Sequence, residues 1–166
     1  MRRLLLPVAL LVAGCGGHVG DGVFEQAQAG LARVTTGTIE LRVTVHTLIP
    51  IERSAELQVG EVPLARLRLA RWAQHPRSIA CAEGLDCAHA DVNVEAALRD
   101  LESVLPSLPF DPSDVRSAEM EVAIAKNGDR PRRLRLRGDL DPGLIPGTVP
   151  FEVNLELSRL RSTGES

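Results

Sequence analysis

Apolar and polar residues take turns along several stretches of this chain, and that two-residue period restricts the fold more than any other feature. Ile39, Leu41, Val43 and Val45 alternate with Glu40, Arg42, Thr44 and His46. Ala55, Leu57 and Val59 alternate with Ser54, Glu56 and Gln58, and Ala65, Leu67 and Leu69 with Arg66, Arg68 and Ala70. Later, Met120, Val122 and Ile124 alternate with Glu119 and Glu121, and Leu134 and Leu136 with Arg133, Arg135 and Arg137. A last segment reads Phe151, Val153, Leu155, Leu157. Successive side chains of a strand point to opposite faces, so these are half-buried strands. One polar face marks an antiparallel sheet that is wet on one side, since a doubly covered parallel sheet reads as continuous apolar runs.

Two segments carry the helical period instead. Phe24, Ala27, Leu31 and Val34 predict a short helix over 23–34. Val94, Ala97, Leu98, Leu101, Val104 and Leu105 predict another, with Asn93 as N-cap and Pro106 beyond its last turn. Residues 74–90, which hold Cys81 and Cys87, read as a loop. Asn127-Gly128 suggests a two-residue hairpin turn, but parity rejects it, because that turn would pair Glu121 with Leu134 and mix the faces. An odd loop (127–129 or 127–131) puts Glu121 opposite Arg135 or Arg137. The expected fold is α+β: a single antiparallel, curved, half-barrel-like sheet of about six strands packed on one or two helices.

The N-terminus has a different character. Arg2 and Arg3 precede an apolar run from Leu4 to Val12, which is too short to span a bilayer as a helix. Charged start, apolar run and small residues are the marks of a secretory signal. Leu11-Val12-Ala13-Gly14-Cys15 resembles the lipobox of bacterial lipoproteins. The resemblance implies cleavage after residue 14, a diacylglycerol on Cys15, and anchoring to the extracytoplasmic face of a cell membrane. The chain then divides into a signal (1–14), a lipidated glycine-rich tether (15–22) and one domain (23–166). Loss of Arg2 and Arg3 takes the formal charge from −3 to −5. With no basic run, nucleic acid is not an expected partner. With Cys15 used by the lipid, Cys81 and Cys87 remain as one pair. In an exported protein a disulfide is the default. The competing metal set, Cys81, Cys87, His89 and His75, matches none of the usual zinc spacings.

The chain carries no nucleophile elbow, zinc-protease motif or phosphate loop. Gly138 to Gly143 and Asp111 to Asp114 read as turns, and the arginine stripe on 66, 68, 133, 135 and 137 as a solvated face. Aromatic residues are few (Phe24, Phe110, Phe151 and Trp72), so stacking sites for sugars or bases are not expected. No cofactor and no enzymatic activity are expected.

The layout over about 23–160 resembles the LppX/LprG-like lipoproteins of actinobacteria, which share a half-barrel with the LolA carrier. Residues 29–45 resemble their opening helix and first strand, and 120–124 with 131–136 their late hairpin. The resemblance implies an apolar cavity that carries a lipid or acyl chain, lined here by Leu41, Val43, Leu67, Leu69, Leu98, Leu101, Val122 and Leu134. The alternative is an envelope surface protein that binds another protein through the sheet or its edges. A carrier requires an apolar cavity; a binding protein requires a filled core and an exposed apolar patch.

Overall fold

The computed structural model describes residues 19–104, 108–126, 130–143 and 147–162. Cys15, the signal segment and the loop expected at 127–129 lie outside the described residues. The fold is α+β. Seven strands form one open, curved antiparallel sheet in the order β2-β1-β7-β6-β5-β4-β3. They are β1 (Val34–Val45), β2 (Ile51–Gln58), β3 (Ala73–Ile79), β4 (Leu85–Val92), β5 (Val115–Ala125), β6 (Pro131–Leu140) and β7 (Val149–Ser162). Among the described residues three helices accompany them: α1 (Val19–Arg33), α2 (Leu69–Trp72) and α3 (Val94–Glu102).

The alternation in β1, β5, β6 and β7 decides the two faces as expected. Ile39, Leu41, Val43, Met120, Val122, Leu134, Val153 and Leu155 are buried on the inner face. Helix α1 lies across that face against β3, β4 and β5, presenting Phe24, Ala27 and Leu31. It begins at Val19, so residues 19–22, read above as tether, belong to the helix.

Three other expectations are corrected. Residues 65–70 form no strand. Leu64–Arg66 is a single 3-10 turn and Leu69–Trp72 a single α-turn. Their bonds are helical, with Leu67 N–H donating to Leu64 O (3.0 Å) and Trp72 N–H to Arg68 O (3.3 Å). The apparent alternation has a simple origin. Leu64, Leu67, Leu69 and Trp72 all point inward, Leu64 with Leu67 and Leu69 with Trp72 each three apart, while Ala65 is exposed. Strand β2 stops at Gln58, and Val59 opens another 3-10 turn, Val59–Glu61. Residues 59–72 thus form a strap over the inner face.

The cysteine segment is a hairpin, β3–β4, and not a loop. Its pattern was hidden because Cys87, Ala88, His89 and Ala90 are buried on both faces, and because β3 is an edge strand interrupted at Pro76. One false strand and two missed ones take the expected six to seven.

The parity argument for the β5–β6 register holds. Glu121 stands opposite Arg135 and Val122 opposite Leu134. The odd residue is taken up by a bulge and not by the loop, since the register shifts by one between Ala123–Arg133 and Ile124–Pro131. Ala125 N–H donates to Arg130 O at 3.1 Å, and Pro131 already belongs to β6. The ladder beside the turn therefore does not carry the odd loop expected at 127–129 or 127–131. The strand β6 also runs on through Gly138, which was read as the start of a turn. That glycine faces Phe151 across the ladder. A Cβ there would lie 2.1 Å from Ser117 O and 2.7 Å from the Phe151 ring. The ring, also 4.9 Å from Phe110, occupies the space a side chain would need. Backbone cannot yield as a flexible side chain can. Gly138→Ala is therefore expected to destabilise the domain by about 3 kcal/mol or more. Urea unfolding measures it, and a loss near zero would contradict the packing.

Candidate functional site

The residues expected to line a cavity fill the core instead. Leu41, Val43, Leu67, Leu69, Leu101, Val122 and Leu134 are buried, and Leu98 is half-buried on the outer side of α3. The gap among Leu31, Leu64, Leu67, Val122, Leu134 and Leu155 amounts to about 10 Å³. That is room for about one water.

What closes the interior is a polar latch. Asp100 on α3 is 4 % exposed. It accepts from Trp72 Nε1 at 2.9 Å, from Arg68 Nε and backbone N–H at 3.2 Å each, and from Arg68 Nη2. Asn93 supplies the cap that starts this helix, accepting from Ala96 N–H at 3.1 Å. Burial by itself pushes the Asp100 carboxyl upward. The side-chain bonds from Arg68 and Trp72, the Arg68 N–H and the guanidinium charge outweigh that and hold it below its usual range.

Cys81 and Cys87 form a disulfide across the β3–β4 turn, with Cα atoms 6.0 Å apart. His89 is bonded to Glu119 (3.1 Å) and His75 to Asp91 (3.2 Å), so the structure does not gather these four residues around one point. Among the described residues no group of three or more His, Cys, Asp or Glu side chains is placed to hold a metal ion.

The outer face of the sheet is a lattice of charge, balanced in the middle and unbalanced at one side. Arg135 and Arg137 both reach Glu152. Arg137 Nε donates at 3.1 Å, while Arg135 Nε lies at 3.1 Å and pairs by charge without hydrogen-bond alignment. Toward β2 the balance is only partial: Arg42 pairs with Glu52 at 3.4 Å, but the carboxylates farther along the strands are not matched. Glu40 stands directly between Glu56 and Glu156 on its neighbouring strands. Among the described residues no ion pair joins Glu40 or Glu56 to an arginine. Like charges placed opposite one another cost stability. An open groove of about 300 Å³ runs over them, lined also by Arg42, Ser54 and Asn154. The Asn154 Oδ1 atom is buried there without a hydrogen-bond partner.

The same hairpin carries an apolar projection at its turn. The β1–β2 turn carries Leu48, fully exposed, and Ile49, 82 % exposed, with Ile51 following at 42 %. The turn is ordered by its own bonds, Thr47 Oγ1 to Ile49 O and His46 N–H to Pro150 O. Sequence reading passed over this site. Its signal is the break in alternation at Leu48-Ile49-Pro50-Ile51, where a hairpin turn ordinarily carries polar residues. No family model and no curated protein matches the chain.

Two outcomes follow. Asp100→Asn should cost about 2 kcal/mol near neutral pH, as bonds to a charged group are lost. Because the folded carboxyl titrates below its unfolded value, its contribution is complete above about pH 4 and is lost as pH falls through the folded pKa. The gap between wild type and variant, followed by urea unfolding, should therefore shrink in acid. A pH-independent gap would contradict the latch. Reducing the Cys81–Cys87 bridge should cost about 2 kcal/mol, the loop-closure value for so short a separation. Unfolding with and without a phosphine reductant checks it.

Proposed function

We propose that this chain is a non-enzymatic lipoprotein of the bacterial cell envelope, lipidated at Cys15 and held on the extracytoplasmic face, whose domain binds another protein through the β1–β2 hairpin. The observation that carries the reading is the pairing of a filled core with Leu48 and Ile49 held out in solvent. Exposed apolar side chains on an ordered turn gain from burial only against something else.

Position supports a protein rather than the anchoring bilayer as that something. The first turns of α1, at Gly22, Val23 and Gln26, lie beside the β3–β4 turn. The β1–β2 turn is at the opposite end of the strands, since Val45 pairs with Phe151 and Phe151 with Gly138, whereas Leu85 pairs with Ala125. That separation is roughly 20 Å along the strands. Four residues reach from Cys15 to Val19, a span of at most ~14 Å. A domain held so close by α1 presents its apolar turn away from the bilayer.

Carriage of a lipid or acyl chain is the second reading, supported by the gap between α1, strap and sheet, whose lining is apolar but for Arg133. It requires the strap to leave the sheet, against the bonds of Asp100. The test is a photo-reactive amino acid placed at Leu48 in the living cell. Adducts with one envelope protein, lost on Ile49→Ser without loss of stability, are the expected result. Adducts with lipid, or none, would overturn the reading.

A further inference from the structure

The two edges of this sheet are not alike. Edge strand β3 has Pro76 within it, a register shift between Gln74 and Arg77, and a disulfide-stapled turn. These are devices that blunt an edge against further pairing. Edge strand β2 has none of them. Its sequence, Ile51 to Gln58, contains no proline or glycine, and its register against β1 runs without a shift from Ile51 to Gln58. Its outer hydrogen-bonding side has no neighbouring strand among the described residues.

The two faces of β2 differ in chemistry. Glu52, Ser54 and Glu56 point to the acidic outer face, where Glu56 stands opposite Glu40, which in turn faces Glu156. Ile51, Arg53, Ala55 and Leu57 point to the inner face, where a groove of about 220 Å³ lies against Leu108 and Pro109. Helix α1 packs chiefly on β3, β4 and β5, at the other side of the sheet. From this we infer that β2 receives an extended segment of a partner protein as an eighth strand. That segment carries basic side chains at the alternate positions facing outward and apolar ones between them. Main-chain bonds give such an addition its affinity and alternate side chains give it specificity. Lysine or arginine opposite Glu56 supplies the opposite charge that Glu56 and Glu40 lack, and one beside Glu52 adds to the pair that Glu52 already makes with Arg42 (3.4 Å). Arg53 on the inner face disfavours a strand in the flipped register.

A second copy of this chain fits less well. The antiparallel pairing centred on Ser54 sets Ile51 against Leu57, and the same register sets Glu52 against Glu56 twice. The inference rests on the protein-binding reading above and narrows it to a mode.

The full chain in detergent, titrated with a short labelled peptide alternating lysine and valine, tests the inference. Fluorescence anisotropy should show binding at least about tenfold tighter than for the glutamate–valine counterpart, a difference of about 1.4 kcal/mol. The combined variant Glu52→Lys with Glu56→Lys should reverse the preference. Hydrogen exchange should slow in residues 51–58 when the first peptide is bound. Backbone N–H groups of adjacent strand residues point in opposite directions. Of Ser54→Pro and Ala55→Pro, one therefore removes only an outward donor. That variant, recognised by its retained thermal stability, should weaken binding about tenfold or more. No binding, equal binding of both peptides, or protection elsewhere would overturn the inference. So would concentration-dependent dimerisation that protects β2. Cellular adducts at Leu48 that survive the stable proline variant overturn only the mode. Absence of adducts in the wild type overturns the protein-binding reading as well.

Discussion

The bond between Asp100 and the strap is the interaction on which the cover of the sheet depends. An open seven-stranded sheet exposes a broad apolar face, and this chain covers it with one helix of 15 residues and several short pieces. A one-turn helix has too few internal bonds to stand alone in water. The strap is built from such turns, and it is held where α3 presents a carboxylate to Arg68 and Trp72. Trp72 is wholly buried, and its indole N–H needs an acceptor inside. A buried charge is costly unless paired, and here it is paired and bonded several times over. Strap, α3 and the inner face therefore close as one unit.

Closure of the interior moves the interest of the molecule to its periphery. Where α1 and the strap cover the sheet, apolar side chains meet apolar partners and charges on the outer face find opposite charges. At β1 and β2 both kinds of satisfaction are incomplete, although Arg42 pairs with Glu52 there. Glu40 and Glu56 lack arginine partners among the described residues, the edge lacks a neighbouring strand there, and the turn holds Leu48 and Ile49 in water. Each feature by itself is common on protein surfaces. Their meeting on one hairpin, opposite an edge that is blunted, is what gives the protein-binding reading its weight.

Much of this was legible in the sequence, for physical reasons that also explain the rest. Long strands with one wet face, such as β1, β5, β6 and β7, write their period plainly, and parity put Glu121 opposite an arginine, Arg135 or Arg137, of which the structure shows Arg135. The α3 cap at Asn93 and the Cys81–Cys87 pairing were legible too, the latter through the resemblance at Cys15. Single helical turns were not, because Leu67 and Leu69 serve a two-residue period as well as inward-facing turns. Strand β4 was hidden by burial on both faces. The latch could not be read at all. Asp100 looks like any charged helix residue until the fold brings Trp72, 28 residues away, to its carboxylate. The exposed turn was legible in principle, as apolar residues where a turn calls for polar ones.

The central claim is that this domain works through its surface and not through its interior, and native mass spectrometry of residues 19–166, exported without Cys15, tests it most directly. The account predicts the mass of the bare, disulfide-bonded polypeptide, unchanged after lipid is offered. One lipid per chain, retained through gel filtration and removed by organic solvent, would contradict it.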